Sequence, residues 1–149
     1  MGSQSDYSVM KEAEKILRIL KIKYEVKIIS AHRTPKRMFE FAENASKKGF
    51  AVIIAGAGGA AHLPGMVSSL TSIPVIGVPI ESKKLRGLDS LLSIVQMPNG
   101  CPTAAMSING SFNAGLYAAS IIGTFDFKIK SNLEKWKRLQ TKLVKKKPK

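Results

Sequence analysis

The chain has 149 residues, 44% of them hydrophobic, which is typical of one globular domain with its own core. Its 24 Lys and Arg residues outnumber its 10 Asp and Glu residues, which gives a formal net charge of +14. A single cysteine excludes an internal disulfide, and two histidines far apart in sequence argue against a structural metal site. No apolar run approaches the roughly 20 residues that cross a bilayer, and the N-terminus lacks a signal-peptide pattern, so we predict a cytoplasmic protein.

The first third of the chain predicts helix, strand, helix and strand in that order. Asp6 is a good helix N-cap, and apolar residues follow it at helical spacing at Val9, Ala13, Ile16, Leu17 and Leu20. Residues 24–30 predict a strand. Pro35 then begins a second helix that we expect to end at Gly49. The apolar run 51–55 predicts a short strand that is buried on both faces.

The rest of the chain continues the same alternation and ends in a basic helix. The predicted elements are a helix at 59–70 that Pro64 interrupts early, a strand at 73–78, a helix at 88–96, a strand at 102–108, a helix at 111–122 and a basic helix from about 131 to 143. In the last helix Trp136, Leu139 and Leu143 are apolar and need a surface to pack on.

Alternating strands and helices predict an α/β fold with a parallel sheet and helices on both faces. We divide it into a main domain at residues 1–127 and a basic C-terminal helix and tail at 128–149. In such folds a ligand loop follows the carboxyl end of a strand. Residues 2–6 look like such a loop, but only Met1 precedes them. We therefore expect that a first, central strand is missing and that the functional protein begins about five to eight apolar residues upstream.

Three loops, at residues 2–6, 30–35 and 55–65, are expected to meet at the carboxyl edge of the sheet. Ser3 and Ser5 precede a helix, where free backbone N–H groups bind anions, although simple helix capping explains them as well. Ser30 and Arg33 suit a phosphate group, because arginine donates two parallel hydrogen bonds and stays charged. The alternative for Arg33 is a surface salt bridge.

The two histidines, His32 and His62, lie in two of these loops. His32 follows a strand end among small and polar neighbours, which favours a catalytic acid or base over a core histidine. The Gly- and Ala-rich run 55–61 lets the backbone approach a flat ligand closely and leaves space for a small reacting group. His62 then lies at the far side of that space, where helix capping or packing would explain it equally well.

The basic tail is compatible with a second class of function, the binding of nucleic acid or anionic lipid. Basic segments bind nucleic acid or anionic lipid. No interleaving of aromatic and basic residues and no nucleic-acid-binding motif accompanies the charge, so a solvated helix is the favoured interpretation. A basic nucleic-acid-binding module therefore stays a less favoured alternative.

Several motifs occur in the order and spacing of one known family: "MGSQSD", "SAHRTP", "AGAGGAAHLPGM", "PVIGVP", "LDSLLSIVQMP" and "NAGLYAA". From Met1 to about Thr124 the chain resembles the N5-carboxyaminoimidazole ribonucleotide mutases of purine biosynthesis. The resemblance implies a three-layer flavodoxin-like fold, a homo-octamer and a small ribonucleotide substrate. It implies no metal, nucleotide or organic cofactor, and no nucleic-acid or membrane partner.

The resemblance also implies roles for particular residues. His32 matches the catalytic histidine, Ser3, Asp6 and Arg33 match residues that contact the ribose phosphate, and residues 55–62 match a substrate loop. The full set that the resemblance places at the substrate is Ser3, Ser5, Asp6, Ser30, Ala31, Arg33, Ala57, Gly58, Gly59, His62 and Leu63.

The chemistry fits the residues. In the reaction that the resemblance implies, an imidazolium protonates the carbamate nitrogen, CO2 is held in the Gly/Ala loop, and the neutral imidazole then removes the C4 proton. A related branch carboxylates the aminoimidazole directly with CO2. That branch typically has lysine and glycine after the histidine and lacks the "GGAAH" loop, so "HRTP" and "GGAAH" favour the mutase and leave the carboxylase as the alternative.

Overall fold

The computed structural model describes residues 1–147 and contains a parallel sheet of three strands in the order β1-β2-β3. The strands are β1 (Ile53–Gly58), β2 (Val75–Ile80) and β3 (Ala104–Ala105). A short 3-10 turn at Gln4–Asp6 precedes the helices, which are α1 (Tyr7–Ile19), α2 (Pro35–Asn44), α3 (Leu63–Ser68), α4 (Leu88–Val95), α5 (Ser111–Ile122) and α6 (Phe127–Leu143). The predicted α/β class with a parallel sheet is confirmed.

Side chains alternate across the sheet and build two apolar layers. Ile53, Ala55 and Ala57 of β1 pack with α2, α3 and α4. Ile76, Val78 and Ile80 of β2 pack on the other face with α1 and α5. Every residue of β2 is buried, as a strand between two neighbours and two helical layers must be. The strands predicted at 51–55 and 73–78 are thus present, and each begins two residues later than predicted.

The strand predicted at residues 24–30 is wrong, because a strand exists only where a neighbour completes its ladder. No ladder forms along this segment within the described chain. Its backbone bonds to the backbone of Met1 and of the neighbouring Thr34, and the C=O of Ile28 accepts from the Arg37 side chain at 3.2 Å. The strand predicted at 102–108 is limited to β3. Ala104 and Ala105 pair with β2, and after them only single backbone bonds reach β2, from Met106 N–H to Gly77 C=O at 2.9 Å and from Asn109 N–H to Pro79 C=O at 2.8 Å.

The helices agree more closely with prediction than the strands do, because the backbone hydrogen bonds of a helix form within the helix itself. The helix predicted after Asp6, α4 and α5 are confirmed within two residues. The helix predicted at 59–70 is limited to α3, and Pro64 lies in its first turn instead of interrupting it. α2 ends at Asn44, before the expected Gly49, which forms a turn with φ of 79°. The Asp6 carboxylate accepts from the N–H of Ser3, at 2.9 Å, and does not cap α1.

The basic helix α6 begins earlier than predicted, because the Asp126 side chain caps it by accepting from Ile129 N–H at 3.0 Å. Ile129 and Leu133 are buried against α1 and α5, and Trp136 lies beside Phe112 with ring centroids 6.0 Å apart. The division of the chain at residue 127 stays a prediction. Among residues 1–147 no helix has both the length and the apolar character needed to cross a bilayer.

Candidate functional site

A cavity of about 680 Å³ opens at the carboxyl edge of the sheet, where the loops after the strands meet. All three predicted loops reach it. The predicted site residues that line it are Ser3, Ser5, Asp6, Ser30, Ala31, His32, Arg33, Ala57, Gly58, Gly59, His62 and Leu63. The sheet thus brings together residues that are far apart in sequence, because the carboxyl ends of parallel strands share one edge.

The loop at residues 2–6 is held by its own polar groups. The Ser3 and Ser5 hydroxyl oxygens are 2.6 Å apart, and the N–H of Gly2 donates to the C=O of Gly56 at 3.1 Å. The Asp6 carboxylate, which is buried, turns back to the N–H of Ser3. Two hydroxyls therefore face the cavity on a loop that is tied to β1.

The loop at residues 30–34 is a turn stabilised by hydroxyl groups. The N–H of Ser30 donates to Thr34 Oγ1 at 2.9 Å, and the N–H of Arg33 donates to Ser30 Oγ at 3.2 Å. The Arg33 side chain is exposed and pairs with no carboxylate among residues 1–147. The surface salt bridge considered for Arg33 is therefore not found. Its guanidinium and the Ser30 hydroxyl lie on the same cavity wall, an arrangement that suits a phosphate.

The two histidines of the chain touch each other. His32 Nε2 and His62 Nδ1 are 2.9 Å apart, and the rings meet edge to face with centroids 5.0 Å apart. Both side chains are exposed, so neither is a core histidine. His62 occupies the N-cap position of α3 without capping it. A hydrogen bond between two imidazoles needs one donor and one acceptor, so the pair holds at most one positive charge while the bond persists.

The Gly/Ala loop after β1 depends on a buried serine that sequence analysis missed. Gly59 has φ of 67°, in the left-handed region that favours glycine. Its N–H donates to Ser90 Oγ at 2.8 Å, and that hydroxyl donates to the C=O of Ile80 at 2.7 Å. Ser90 is fully buried. One hydroxyl on α4 thus joins the loop after β1 to the end of β2.

The loops after β2 and β3 also reach the cavity, through Glu81, Ser82 and Asn109, which sequence analysis missed. The N–H of Glu81 donates to Asn109 Oδ1 at 2.9 Å, and Asn109 Nδ2 donates to the Glu81 carboxylate at 3.2 Å. The position of these residues directly after strands was a usable signal, because ligands bind at that edge. Ser8, in the first turn of α1, completes the overlooked polar side chains.

No cluster of three or more His, Cys, Asp or Glu side chains that could hold a metal ion occurs within residues 1–147. The polar groups that line the cavity are hydroxyls, one guanidinium, two imidazoles, two carboxylates, one carboxamide and backbone N–H groups. Such groups recognise a phosphorylated small molecule and move protons.

Several known proteins with similar sequences carry the same name. A protein of Thermotoga maritima named N5-carboxyaminoimidazole ribonucleotide mutase is 63% identical over 123 residues, covering 83% of this chain and 72% of its own. Proteins of the same name from Bacillus subtilis and Pyrococcus horikoshii are 61% and 55% identical, covering 85% and 100% of this chain and 79% and 84% of their own.

A solved structure has a similar fold. The crystal structure of Treponema denticola PurE matches with a TM-score of 0.84 at 25% identity, over 95% of this chain and 89% of that chain. The three-layer, flavodoxin-like fold that the resemblance implied is confirmed. The profile of the family described as AIR carboxylase matches residues 1–142, and the chain belongs to that family.

Proposed function

We propose that this chain is an isomerase of purine biosynthesis that converts N5-carboxyaminoimidazole ribonucleotide into 4-carboxy-5-aminoimidazole ribonucleotide. The observation that carries the proposal is the hydrogen-bonded pair of His32 and His62 in one cavity with Arg33 and the Gly/Ala loop. The names of the relatives, at 50–63% identity, support the same reaction.

Arg33, Ser3 and Ser5 hold the ribose phosphate in this proposal. Arg33 faces the cavity with no carboxylate partner among the described residues, so its charge is available to an anion. The two serine hydroxyls and the backbone N–H groups of the loop at 2–6 add neutral donors. The buried carboxylate of Asp6 is turned to the N–H of Ser3. Asp6 therefore shapes the loop and leaves the donors to face the phosphate.

In this proposal His32 carries out the proton transfers. The imidazolium gives a proton to the N5 nitrogen of the substrate, the N5–carboxylate bond breaks, and CO2 and a neutral amine result. The C4 carbon then attacks CO2 to form the new C–C bond, and the neutral imidazole takes the C4 proton back. Atoms and protons balance over the cycle, so the reaction consumes no proton. A histidine suits both steps because its ordinary pKa lies near neutrality.

CO2 has to stay beside C4 between the two steps. Ala57, Gly58 and Gly59 line the cavity with backbone and methyl groups, and Ser90 fixes their loop. A small apolar pocket next to His32 keeps CO2 close to C4 and limits its escape. This division of roles gives His62, hydrogen-bonded to His32, the task of orienting the imidazole.

The decisive experiment separates the mutase from the carboxylase. Purified protein is given the N5-carboxylated ribonucleotide without ATP or metal, and the appearance of the C4-carboxylated isomer is followed. We expect turnover without added bicarbonate. Faster turnover of the decarboxylated aminoimidazole ribonucleotide with an obligatory need for bicarbonate would assign the chain to direct carboxylation instead.

The proposal includes a cytoplasmic location and assembly into a homo-octamer. The single cysteine, Cys101, is typical of a reducing compartment. Exposed apolar side chains on α4 provide a surface for other subunits. Cell fractionation tests the location, and the mass of the assembly is considered below.

A further inference from the structure

The loop that follows β2, at residues 81–87, borders the cavity of the candidate site through its first two residues. Its end has an unusual backbone, because Arg86 has φ of 50° and Gly87 has φ of 90°, both in the left-handed region. A β carbon on Gly87 would lie 2.7 Å from Ile108 Cγ2, so only glycine fits at that position. A loop with two consecutive left-handed residues keeps one conformation only where its surroundings hold it.

The Ser82 hydroxyl holds this loop together. Its Oγ accepts from the N–H groups of Leu85 at 3.3 Å and of Gly87 at 3.4 Å. Its proton is donated to Asp89 Oδ1 at 2.8 Å. A hydroxyl has one proton to donate, so the Ser82 side chain has no donor left for a ligand. Although Ser82 lines the cavity, its hydrogen bonds are therefore spent on the loop itself.

Asp89, the second residue of α4, connects this loop with the Gly/Ala loop after β1. Its Oδ1 accepts from Ser82 Oγ and also, at 2.9 Å, from the N–H of Ser90. Ser90 Oγ in turn accepts from the Gly59 N–H at 2.8 Å. The Ser93 hydroxyl donates to the C=O of Asp89 at 2.7 Å and lies 3.5 Å from the C=O of Gly59. One carboxylate thus joins two loops that border the same cavity.

The negative charge of Asp89 has a simpler explanation, which is its place in the first turn of α4. A carboxylate there stabilises the helix dipole without any bond to Ser82. The two explanations require different properties of the side chain. The dipole requires the charge, whereas the network requires an acceptor oxygen at a fixed place. Asp89 forms no ion pair among residues 1–147, so these hydrogen bonds are its specific contacts.

We propose that Asp89 is a positioning residue whose bonds to Ser82 and Ser90 couple the loop after β2 to the Gly/Ala loop, and that the coupled loops retain CO2 between the two steps of the reaction. This proposal rests on the proposed function. Proton transfer to N5 and cleavage of the N5–carboxylate bond give CO2 and a neutral amine. C4 then either attacks CO2 or loses it to solvent. No covalent bond holds CO2 at this stage, so the packing of the two loops decides between these outcomes.

The test measures how the substrate partitions between the two outcomes. Each variant receives the N5-carboxylated ribonucleotide, and the initial rates of formation of the C4-carboxylated isomer and of the decarboxylated aminoimidazole ribonucleotide are measured. Spontaneous decarboxylation without protein is subtracted. We expect Asp89→Ala to raise the ratio of decarboxylated to isomerised product about fivefold or more. Asp89→Asn keeps an acceptor oxygen without the charge, and its ratio should stay near that of the unchanged chain.

Two further variants control for stability and for the path of the effect. Asp126→Ala removes a carboxylate that caps α6 by accepting from Ile129 N–H at 3.0 Å, outside the cavity. It should lower the Tm and leave the product ratio unchanged, because both products come from the same folded protein. Ser82→Ala should raise the ratio. Combined with Asp89→Ala it should add little, since the Ser82 hydroxyl has then already lost its acceptor.

Hydrogen exchange at the Gly59 amide tests the coupling of the loops without substrate. We expect this amide to exchange about fivefold faster or more in Asp89→Ala than in Asp89→Asn. A chain that converts no N5-carboxylated substrate would overturn the proposed function and, with it, the retention of CO2. The exchange measurement would still decide whether Asp89 couples the two loops.

Three results would overturn the role of Asp89. The first is an unchanged product ratio in Asp89→Ala or, if that variant does not fold, in Ser82→Ala. The second is an equal rise of the ratio in Asp89→Asn and Asp89→Ala, which would assign the carboxylate to the helix dipole. The third is a double variant in which the two single effects multiply, which would show that Ser82 and Asp89 act separately.

Discussion

At the scale of single residues, we assign different roles to the two histidines in contact: His32 transfers the protons and His62 orients the His32 imidazole. We expect His32→Asn to bind substrate but to lower kcat about 100-fold or more, because asparagine transfers no proton at neutral pH. His62→Asn should cost less, since its amide can still hydrogen-bond to His32. Steady-state kinetics with the N5-carboxylated substrate, and substrate binding measured separately, check both variants. Equal losses of kcat at the two positions would contradict this division.

The Met1 amine produces a pH dependence of stability at the same scale. Burial lowers the pKa of this amine in the folded chain below its ordinary 8.0, while Asp6 pulls in the opposite direction. Between the two pKa values the unfolded chain binds more protons, so the free energy of unfolding rises with pH and levels off above about 8. N-terminal acetylation should remove this slope and keep the bond to Lys27. Urea unfolding between pH 6 and 9 measures this pH dependence in the free and the acetylated chain. Identical slopes for the two chains would refute the contribution of the Met1 amine.

At the scale of elements, Ser90 joins β1, β2 and α4 around the substrate loop. Ser90→Ala leaves the Gly59 N–H and the Ile80 C=O without their partner, and we expect a loss of about 1–3 kcal/mol in the free energy of unfolding. KM should rise as well, because the loop at the cavity is released. The matched control is Ser120→Ala, whose hydroxyl bonds only within α5. A Ser90 variant as stable as the Ser120 variant would exclude this role.

Gly59 tests the same loop through its backbone. No atom lies within 4 Å of the place where a Cβ would stand, so Gly59→Ala meets no steric clash. Its φ of 67° is nevertheless costly for alanine, by about 1 kcal/mol. We expect a matching loss of stability in denaturant unfolding and a higher KM. A variant with unchanged stability would show that the loop takes up another conformation.

At the scale of the whole molecule, α4 exposes a row of apolar side chains at Leu88, Leu92 and Val95. Their spacing places them on one side of the helix, and we expect another subunit to cover them in a closed symmetric oligomer. Light scattering at micromolar concentration and moderate salt should give a mass near eight chains. Leu92→Glu should reduce that mass, whereas Ile19→Glu at the exposed end of α1 should not. A monomeric mass for the unchanged chain would disprove the assembly.

The basic tail belongs to this scale too, because the net charge of +14 acts on the molecule as a whole. Binding of nucleic acid through phosphate contacts alone weakens steeply with salt. We expect weak binding that disappears near physiological salt and shows no sequence preference. Tight, sequence-selective binding at that salt would revive the nucleic-acid-binding alternative.

The sequence by itself determined the order of the helices, the bounds of some of them and the position of the candidate site. A helix satisfies its own backbone hydrogen bonds, so the apolar spacing after Asp6 and the run at 111–122 were sufficient to locate α1 and α5. The site loops could be predicted because strand ends share one edge of a parallel sheet, and the predicted residues from Ser3 to Leu63 do line one cavity.

Only the tertiary structure decided the features that depend on contacts between residues distant in sequence. Residues 24–30 have the composition of a strand but form no ladder, because Met1 is the one residue distant in sequence, among residues 1–147, whose backbone bonds to them. The bond between His32 and His62 joins positions 30 residues apart, and the support of Gly59 by Ser90 spans 31. Apolar periodicity reports which face of an element is buried. It carries no information about which polar groups meet across the fold, and that is settled by the packing of the sheet and its helices.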